Sequence, residues 1–235
     1  MIEIGGKPIL WHIMKLYSHY GFNDFIICLG YKGYMIKKFF ADYYLHTSDV
    51  TFDFSNGNRT IFHSNSSEPW RVTLVDTGLN TQTGGRIKRI RPYTDGEPFF
   101  MTYGDGVSDL NIRELLAYHR RKGGAATLTA VQPSGRFGII ETDEEEKVSV
   151  FREKALPDGG WINAGFMVLE QEVFNYIGDD DQEVFEIAPL ENLAKDGKLV
   201  AYKYGGFWKC MDTPRDKYAL ESLWEKGDTP WKVWQ

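Results

Sequence analysis

Asp105 stands between Gly104 and Gly106, directly after the apolar run Phe99-Phe-Met-Thr-Tyr103. The β-prone residues that follow Pro98 read as a short buried strand, and Gly104 breaks it where the carboxylate is presented. In an open α/β sheet, ligands gather at the carboxyl ends of strands. A carboxylate in that place reaches a Mg²⁺ while bare glycine backbone lies close to a nucleotide. An ordinary Asp-Gly turn explains the same tripeptide, and the three residues alone do not separate the two readings.

Three further stretches carry groups of chemical interest. Thr81-Gln-Thr-Gly-Gly-Arg-Ile-Lys-Arg-Ile suits the start of a helix. Its free N–H groups, followed by Arg86, Lys88 and Arg89, would hold a nucleotide or phosphate, or the basic residues would form a solvated helix face. Gly135–Ile140 and Val148–Phe151 flank an acidic turn at Asp143–Glu146 and predict a hairpin that carries Arg152-Glu-Lys154 out at its end. Trp161-Ile-Asn-Ala-Gly-Phe-Met-Val-Leu reads as a strand with an Asn and a Gly set into its start, the mark of a bulge or a close-approaching ligand. His12, His19, His46, His63 and His119 show no metal-ligand spacing, and Cys28 and Cys210 form no Cys-x-x-Cys pair.

The elements that must position these groups follow a β-then-α alternation. Pro8 sits in the first turn of a helix whose stripe is Ile9, Ile13, Leu16, Tyr17 and Tyr20, closed by Gly21, with no strand expected before it. Phe25–Leu29 reads as a buried strand and Tyr34–Tyr44 as a helix. Val50–Phe54 and Arg59–His63 alternate around Asn56-Gly57, which predicts an antiparallel insertion at about residues 50–70. A strand at Val72–Val75, a helix over Asn111–Lys122 and a strand at Ala125–Val131 follow. Helices at Val173–Ile177 and Phe185–Lys195, a strand at Leu199–Tyr204 and a last helix after Thr213 complete the body. The whole predicts one α/β domain over residues 1–235, a Rossmann-like mixed, mainly parallel sheet flanked by helices, with an antiparallel hairpin insertion. Trp224, Trp231 and Trp234 in the tail read as packing or a subunit contact.

Composition narrows the ligand class. The chain is 42% hydrophobic and 15% aromatic, which argues against disorder, and no apolar run is long enough to span a bilayer. A net charge of −6 provides no field for nucleic acid, so a small anionic ligand is expected. No membrane association is expected, and with no secretory signal at the start the expected compartment is the cytoplasm.

The order of the motifs is more specific than any one of them. Gly5-Gly-Lys-Pro-Ile-Leu entering a helix, Tyr103-Gly-Asp-Gly after a strand, Arg136-Phe-Gly, Glu153-Lys, Asn163-Ala-Gly-Phe and Phe207-Trp-Lys-Cys-Met-Asp-Thr before a final helix occur in that sequence. Together they resemble the sugar-1-phosphate nucleotidylyltransferases over essentially all 235 residues. Trp11-His-Ile-Met, Phe40-Ala-Asp-Tyr-Tyr-Leu-His, Glu68-Pro-Trp, Val72-Thr-Leu-Val-Asp-Thr-Gly and Leu223-Trp-Glu-Lys-Gly resemble the branch that joins CTP to glucose 1-phosphate. Family members begin with a strand and a Gly-Gly-x-Gly-Thr-Arg-Leu phosphate loop ahead of Lys-Pro-Lys-Pro-Met. This sequence starts at what resembles that last Met, so a segment is expected to be missing from it.

The resemblance implies Mg²⁺ as cofactor, held by Asp105 and Asp212, although Asp212 also suits the N-cap of the last helix. It implies Lys154 at the sugar phosphate, with Ala155 where the family has Pro, and Glu153 at glucose hydroxyls. Gly138, Asn163 and Gly165 would face the sugar, and Thr81, Arg86 and Gly104 the nucleotide. It also implies a homo-oligomer and a product that feeds dideoxysugar synthesis for surface polysaccharide. Two rivals remain at this level. Asp105-Gly-Val-Ser-Asp109 also reads as the spaced carboxylate pair of a nucleotide-sugar-dependent glycosyltransferase, and the absent loop motif suits a non-catalytic sugar-phosphate-binding or assembly protein.

Overall fold

The computed structural model describes residues 1–132, 139–142, 148–152 and 160–235 of the chain. It opens on a correction. A two-residue ladder of β1 (Glu3–Ile4) and β2 (Lys7–Pro8) precedes α1 (Ile9–His19), where no strand was expected. Gly5 and Gly6 both take positive φ, 57° and 70°, the combination a two-residue hairpin turn requires. Strands of two residues are too short to show alternation, so periodicity passes over them.

The first parallel unit follows the expected pattern. β3 (Asp24–Leu29) leads into α2 (Gly33–His46), then into the antiparallel pair β4 (Val50–Asp53) and β5 (Arg59–Phe62), and returns as β6 (Arg71–Asp76). β3 and β6 run parallel, in register from Asp24↔Arg71 to Leu29↔Asp76. Asp53 ties the hairpin turn: Ser55 Oγ donates to it at 2.6 Å and the N–H groups of Ser55 and Asn56 at 3.0 and 3.1 Å, holding its carboxyl below the ordinary Asp range. Next come α3 (Thr83–Ile90), β7 (Phe99–Thr102), β8 (Gly106–Ser108) and α4 (Ile112–Lys122), the last capped by Asn111 Oδ1, which accepts from the N–H groups of Arg113 and Glu114.

The second half builds the larger sheet. β9 (Ala126–Val131) precedes the antiparallel pair β10 (Ile139–Thr142) and β11 (Val148–Arg152), followed by β12 (Ile162–Leu169), α5 (Ala188–Lys195), β13 (Leu199–Tyr204), β14 (Trp208–Cys210) and α6 (Pro214–Glu225). Three of these strands pair with β7 in the order β13-β9-β12-β7. β13 is parallel to β9, and β12 is antiparallel to both β9 and β7, so three strands share a direction and β12 runs against them. The expected mixed sheet is therefore present, with one reversed strand inside it. The turn of helix expected at Val173–Ile177 is a 3₁₀ segment, Gln171–Asn175, and the helix expected from Phe185 starts at Ala188, with Pro189 in its first turn.

β12 divides the core. Ala164, Phe166 and Val168 point into one buried cluster with α1, α4 and α6, whereas Met167 and Leu169 point into the other with Phe174, Phe185 and Leu193, the two-residue period of a strand covered on both faces. Among the described residues no helix is long and apolar enough to cross a membrane. The tail closes the first cluster with Trp231 and Trp234, which makes the packing reading of these tryptophans correct within the chain itself.

His12 lies buried in that aromatic cage. Its Nε2 donates to the Ile4 carbonyl at 2.9 Å, and its Nδ1 accepts from Trp231 Nε1 at 3.4 Å. A carbonyl only accepts and an indole only donates, so the ring is fixed as one neutral tautomer. Burial pushes its pKa below the ordinary 6.5. The unfolded chain then takes up a proton that the folded chain refuses, so stability falls as pH drops below about 6.5. Denaturant midpoints measured from pH 7.5 to 5.5 should decline, and the decline should be shallower in His12→Phe; equal slopes would remove His12 as a cause.

Candidate active site

Two three-residue strands bring the two carboxylates together. β8 and β14 pair antiparallel with Trp208↔Ser108, Lys209↔Val107 and Cys210↔Gly106, and the Met211 N–H continues the ladder to the Asp105 carbonyl at 2.8 Å. Asp105, in the turn between β7 and β8, thus lies beside the residue preceding Asp212. Partial burial and the neighbouring charge of Asp212 push the Asp105 carboxyl above its ordinary range. Asp212 is not the helix cap. That role belongs to Thr213, whose Oγ1 accepts from the Asp216 N–H at 3.3 Å while Asp216 Oδ2 accepts from the Thr213 N–H at 3.1 Å, a reciprocal capping box. Asp212 remains exposed and accepts from Cys210 Sγ at 3.1 Å. Gly104 is exposed, with open space where a Cβ would stand.

Asp109 is not part of this pair. It lies past the far end of β8 and accepts from the Tyr204 hydroxyl. The carboxylate pair that a glycosyltransferase reading needs from these two residues is not formed.

The start of α3 corrects a second expectation. Two of the N–H groups at this end are not free: those of Gln82 and Gly84 donate to the carbonyls of Asp181 and Glu183 at 2.8 and 2.9 Å. Gly84 and Gly85 leave room for that segment, because a Cβ on either would stand 2.8 Å from the Glu183 carbonyl oxygen or 3.3 Å from Asp181. The basic side chains of this face have partners within the chain, although Arg89 stays exposed. Lys88 donates to the Ile177 carbonyl at 2.7 Å, and Arg89 grips Asp181 with two bonds of 2.7 Å while donating to Thr81 Oγ1 at 2.9 Å. Arg86 differs from both. Its Nη1 donates to the Leu29 carbonyl (3.1 Å) and Thr77 Oγ1 (2.7 Å), which leaves Nη2 and Nε unpaired among the described residues. Arg86 and Thr81 line a cavity of about 640 Å³ with Leu79, Asn80, Gln82 and Gln182.

Asn163 and Gly165 sit at the expected bulge, where the β12–β9 register shifts between Asn163 and Met167. Gly165 has φ 75°, and the Tyr103 ring occupies its missing Cβ, the nearest ring carbon lying 2.3 Å from that position. The glycine therefore serves a packed ring at this point. Asn163 Nδ2 donates to the Tyr103 hydroxyl at 3.2 Å, and that hydroxyl donates to Glu186 Oε1. Thr83 Oγ1 donates to Glu186 Oε2 at 2.6 Å. Sequence reasoning passed over Tyr103, Thr83 and Glu186; Glu186 carried one available signal, a charge inside the apolar run Val184-Phe-Glu-Ile. Gly138, Glu153 and Lys154 lie outside the described residues.

The chain matches the nucleotidyl transferase family model over residues 1–216. It is 54% identical over 236 aligned residues to the glucose-1-phosphate cytidylyltransferase of Salmonella typhi, with 100% of this chain and 91% of the relative covered. It is 44% identical to a probable glucose-1-phosphate cytidylyltransferase of Bacillus subtilis (strain 168), with 98% and 89% covered. In fold it is similar to HddC from Yersinia pseudotuberculosis, with a TM-score of 0.68 at 21% identity over 95% of this chain and 88% of that one. It is also similar to a putative glucose-1-phosphate thymidylyltransferase from Bacillus anthracis, with a TM-score of 0.67 at 14% identity over 94% and 84%. Neighbouring carboxylates on the β8–β14 ladder of an α/β fold, motifs in family order and identity along the whole chain agree: this chain belongs to the nucleotidyl transferase family and groups there with the glucose-1-phosphate cytidylyltransferases.

Proposed function

We propose that this protein transfers CMP from CTP to glucose 1-phosphate, yielding CDP-glucose and pyrophosphate. A phosphate oxygen of the sugar phosphate attacks the α-phosphorus of CTP. That P–O bond forms as the bond to the α–β bridging oxygen breaks, and the electron pair leaves on pyrophosphate. The nucleophile needs no strong base, because a phosphate monoester with a second pKa of about 6 is largely dianionic at pH 7. The protein's task is positioning and charge neutralisation.

The observation that carries this reading is the β8–β14 ladder that sets Asp105 beside Asp212. Two neighbouring carboxylates suit a shared divalent cation. Among the described residues no group of three or more His, Cys, Asp or Glu forms a metal cage. A lone pair fits Mg²⁺, which takes one or two carboxylates and leaves its other positions to phosphate and water. When bound, Mg²⁺ offsets the charge on the phosphate oxygens. Arg86 would hold phosphate through Nη2 and Nε. Thr81, whose Oγ1 already accepts from Arg89, keeps its own proton to donate into the cavity. Open space over Gly104 admits the ribose or base. Lys154 would meet the sugar phosphate, and Glu153, Gly138, Asn163 and Gly165 would form the sugar side.

Self-association is part of the same proposal. α2 buries none of its residues, and Tyr34, Met35 and Tyr44 are exposed there, as are Phe52, Phe54 and Ile61 on the β4–β5 hairpin, an apolar surface that a second copy would cover. Light scattering at the mass of one 27.0 kDa chain would reject it. The activity is tested by pyrophosphate release with CTP, glucose 1-phosphate and Mg²⁺. Release that needs all three is expected; release independent of glucose 1-phosphate, or equal rates after Mg²⁺ removal, would overturn the reading.

A further inference from the structure

Asn163 is held by both ends of its amide. Oδ1 accepts from the Gly165 N–H at 2.9 Å, and Nδ2 donates to the Tyr103 hydroxyl, so the amide has one orientation. One Nδ2 hydrogen and one Oδ1 lone pair are left over for a ligand. The direction of this chain of bonds is decided one residue further on. A tyrosine hydroxyl has a single proton, and Tyr103 gives it to Glu186 Oε1. Its lone pair then has to accept from Asn163. The other carboxylate oxygen of Glu186 accepts from Thr83 Oγ1, next to the cavity residues Thr81 and Gln82, and Thr83 Oγ1 itself accepts from the Phe185 N–H at 2.9 Å.

We infer that Glu186 is a positioning residue: by accepting from both Tyr103 and Thr83 it sets the polarity of a relay that presents the Asn163 amide to the sugar phosphate in register with the nucleotide cavity. The inference rests on the proposed reading in which Asn163 meets the sugar. Glu186→Gln tests it with almost no change in volume. A glutamine can turn its NH₂ toward Tyr103, whose proton then points at the Asn163 NH₂ and drives that amide to rotate. Tyr103→Phe removes the hydroxyl alone and keeps the ring that fills the space over Gly165.

In the protein with CTP, glucose 1-phosphate and Mg²⁺, each variant should raise KM for glucose 1-phosphate about tenfold, the scale of one lost hydrogen bond. KM for CTP should change less than about twofold, because the Phe185 N–H still anchors Thr83. The double variant should be no worse than either single one, as expected for residues acting in one chain of bonds. Equal losses for both substrates, additive losses in the double variant, or an unchanged KM for glucose 1-phosphate would overturn the inference. A second readout does not need turnover: the Asn163 side-chain amide protons should shift in the ¹⁵N spectrum of Glu186→Gln, and unshifted signals would overturn it too. If the wild-type protein fails to join CTP to glucose 1-phosphate, the functional reading falls, and the amide spectrum still decides the relay.

Discussion

In the Asp105→Asn protein, Mg²⁺-dependent pyrophosphate release is expected to fall by about a thousandfold, the scale seen when a group that stabilises transition-state charge is removed. The fold should not suffer. Asp105 sits in a turn, its backbone carbonyl is what the Met211 N–H uses, and its carboxylate is disfavoured by desolvation and by the charge of Asp212. Removing that charge relieves repulsion, so the thermal midpoint should hold or rise. Asp212→Asn should cost a similar factor, and the double variant little more than either one, because in the proposed function the two hold a single cation and would not act independently. A rate near wild type in Asp105→Asn would remove this carboxylate from the site.

Trp231→Ala is the substitution expected to cost most stability. The side chain is 1% exposed, stacks on Phe207 with ring centroids 5.7 Å apart, and donates to His12 Nδ1. Truncation empties the cage and leaves a buried imidazole nitrogen without its donor. Large aromatic truncations cost about 3–5 kcal/mol, and for a chain of this size each kcal/mol lowers the midpoint by roughly 2–4 °C. A fall of about 10 °C in Tm should follow, with a smaller one for Trp231→Phe. A fall of only a degree or two would mean that the tail lies over the core without closing it.

What the sequence revealed depended on whether a feature was local. The starts of α4 at Asn111 and of α6 after Thr213 are read from the residues around them, Leu199–Tyr204 is read as a strand, and Asn163 and Gly165 announce the bulge in β12. The partnership of Asp105 with Asp212 was legible only through motif order, because β8 and β14 have three residues each and lie about a hundred positions apart. The N-terminus of α3 misled for the same reason. A glycine-rich helix start looks alike whether it cradles an anion or the backbone of residues 181–183, and only the fold shows that the latter occupies it. Tyr103 and Thr83 were illegible, and Glu186 showed only as a charge in an apolar run, because their importance lies in hydrogen bonds that span 60 to 103 positions.

The filled space over Gly165 also bears on how this sequence can drift. Any side chain at 165 would strain the backbone at φ 75° and collide with the Tyr103 ring, and a smaller residue at 103 would open a void over the glycine. Neither position can change first without loss. Descendants of this chain should therefore either keep both residues or alter both at once, and a variant selected for another sugar is expected to carry paired changes at 103 and 165.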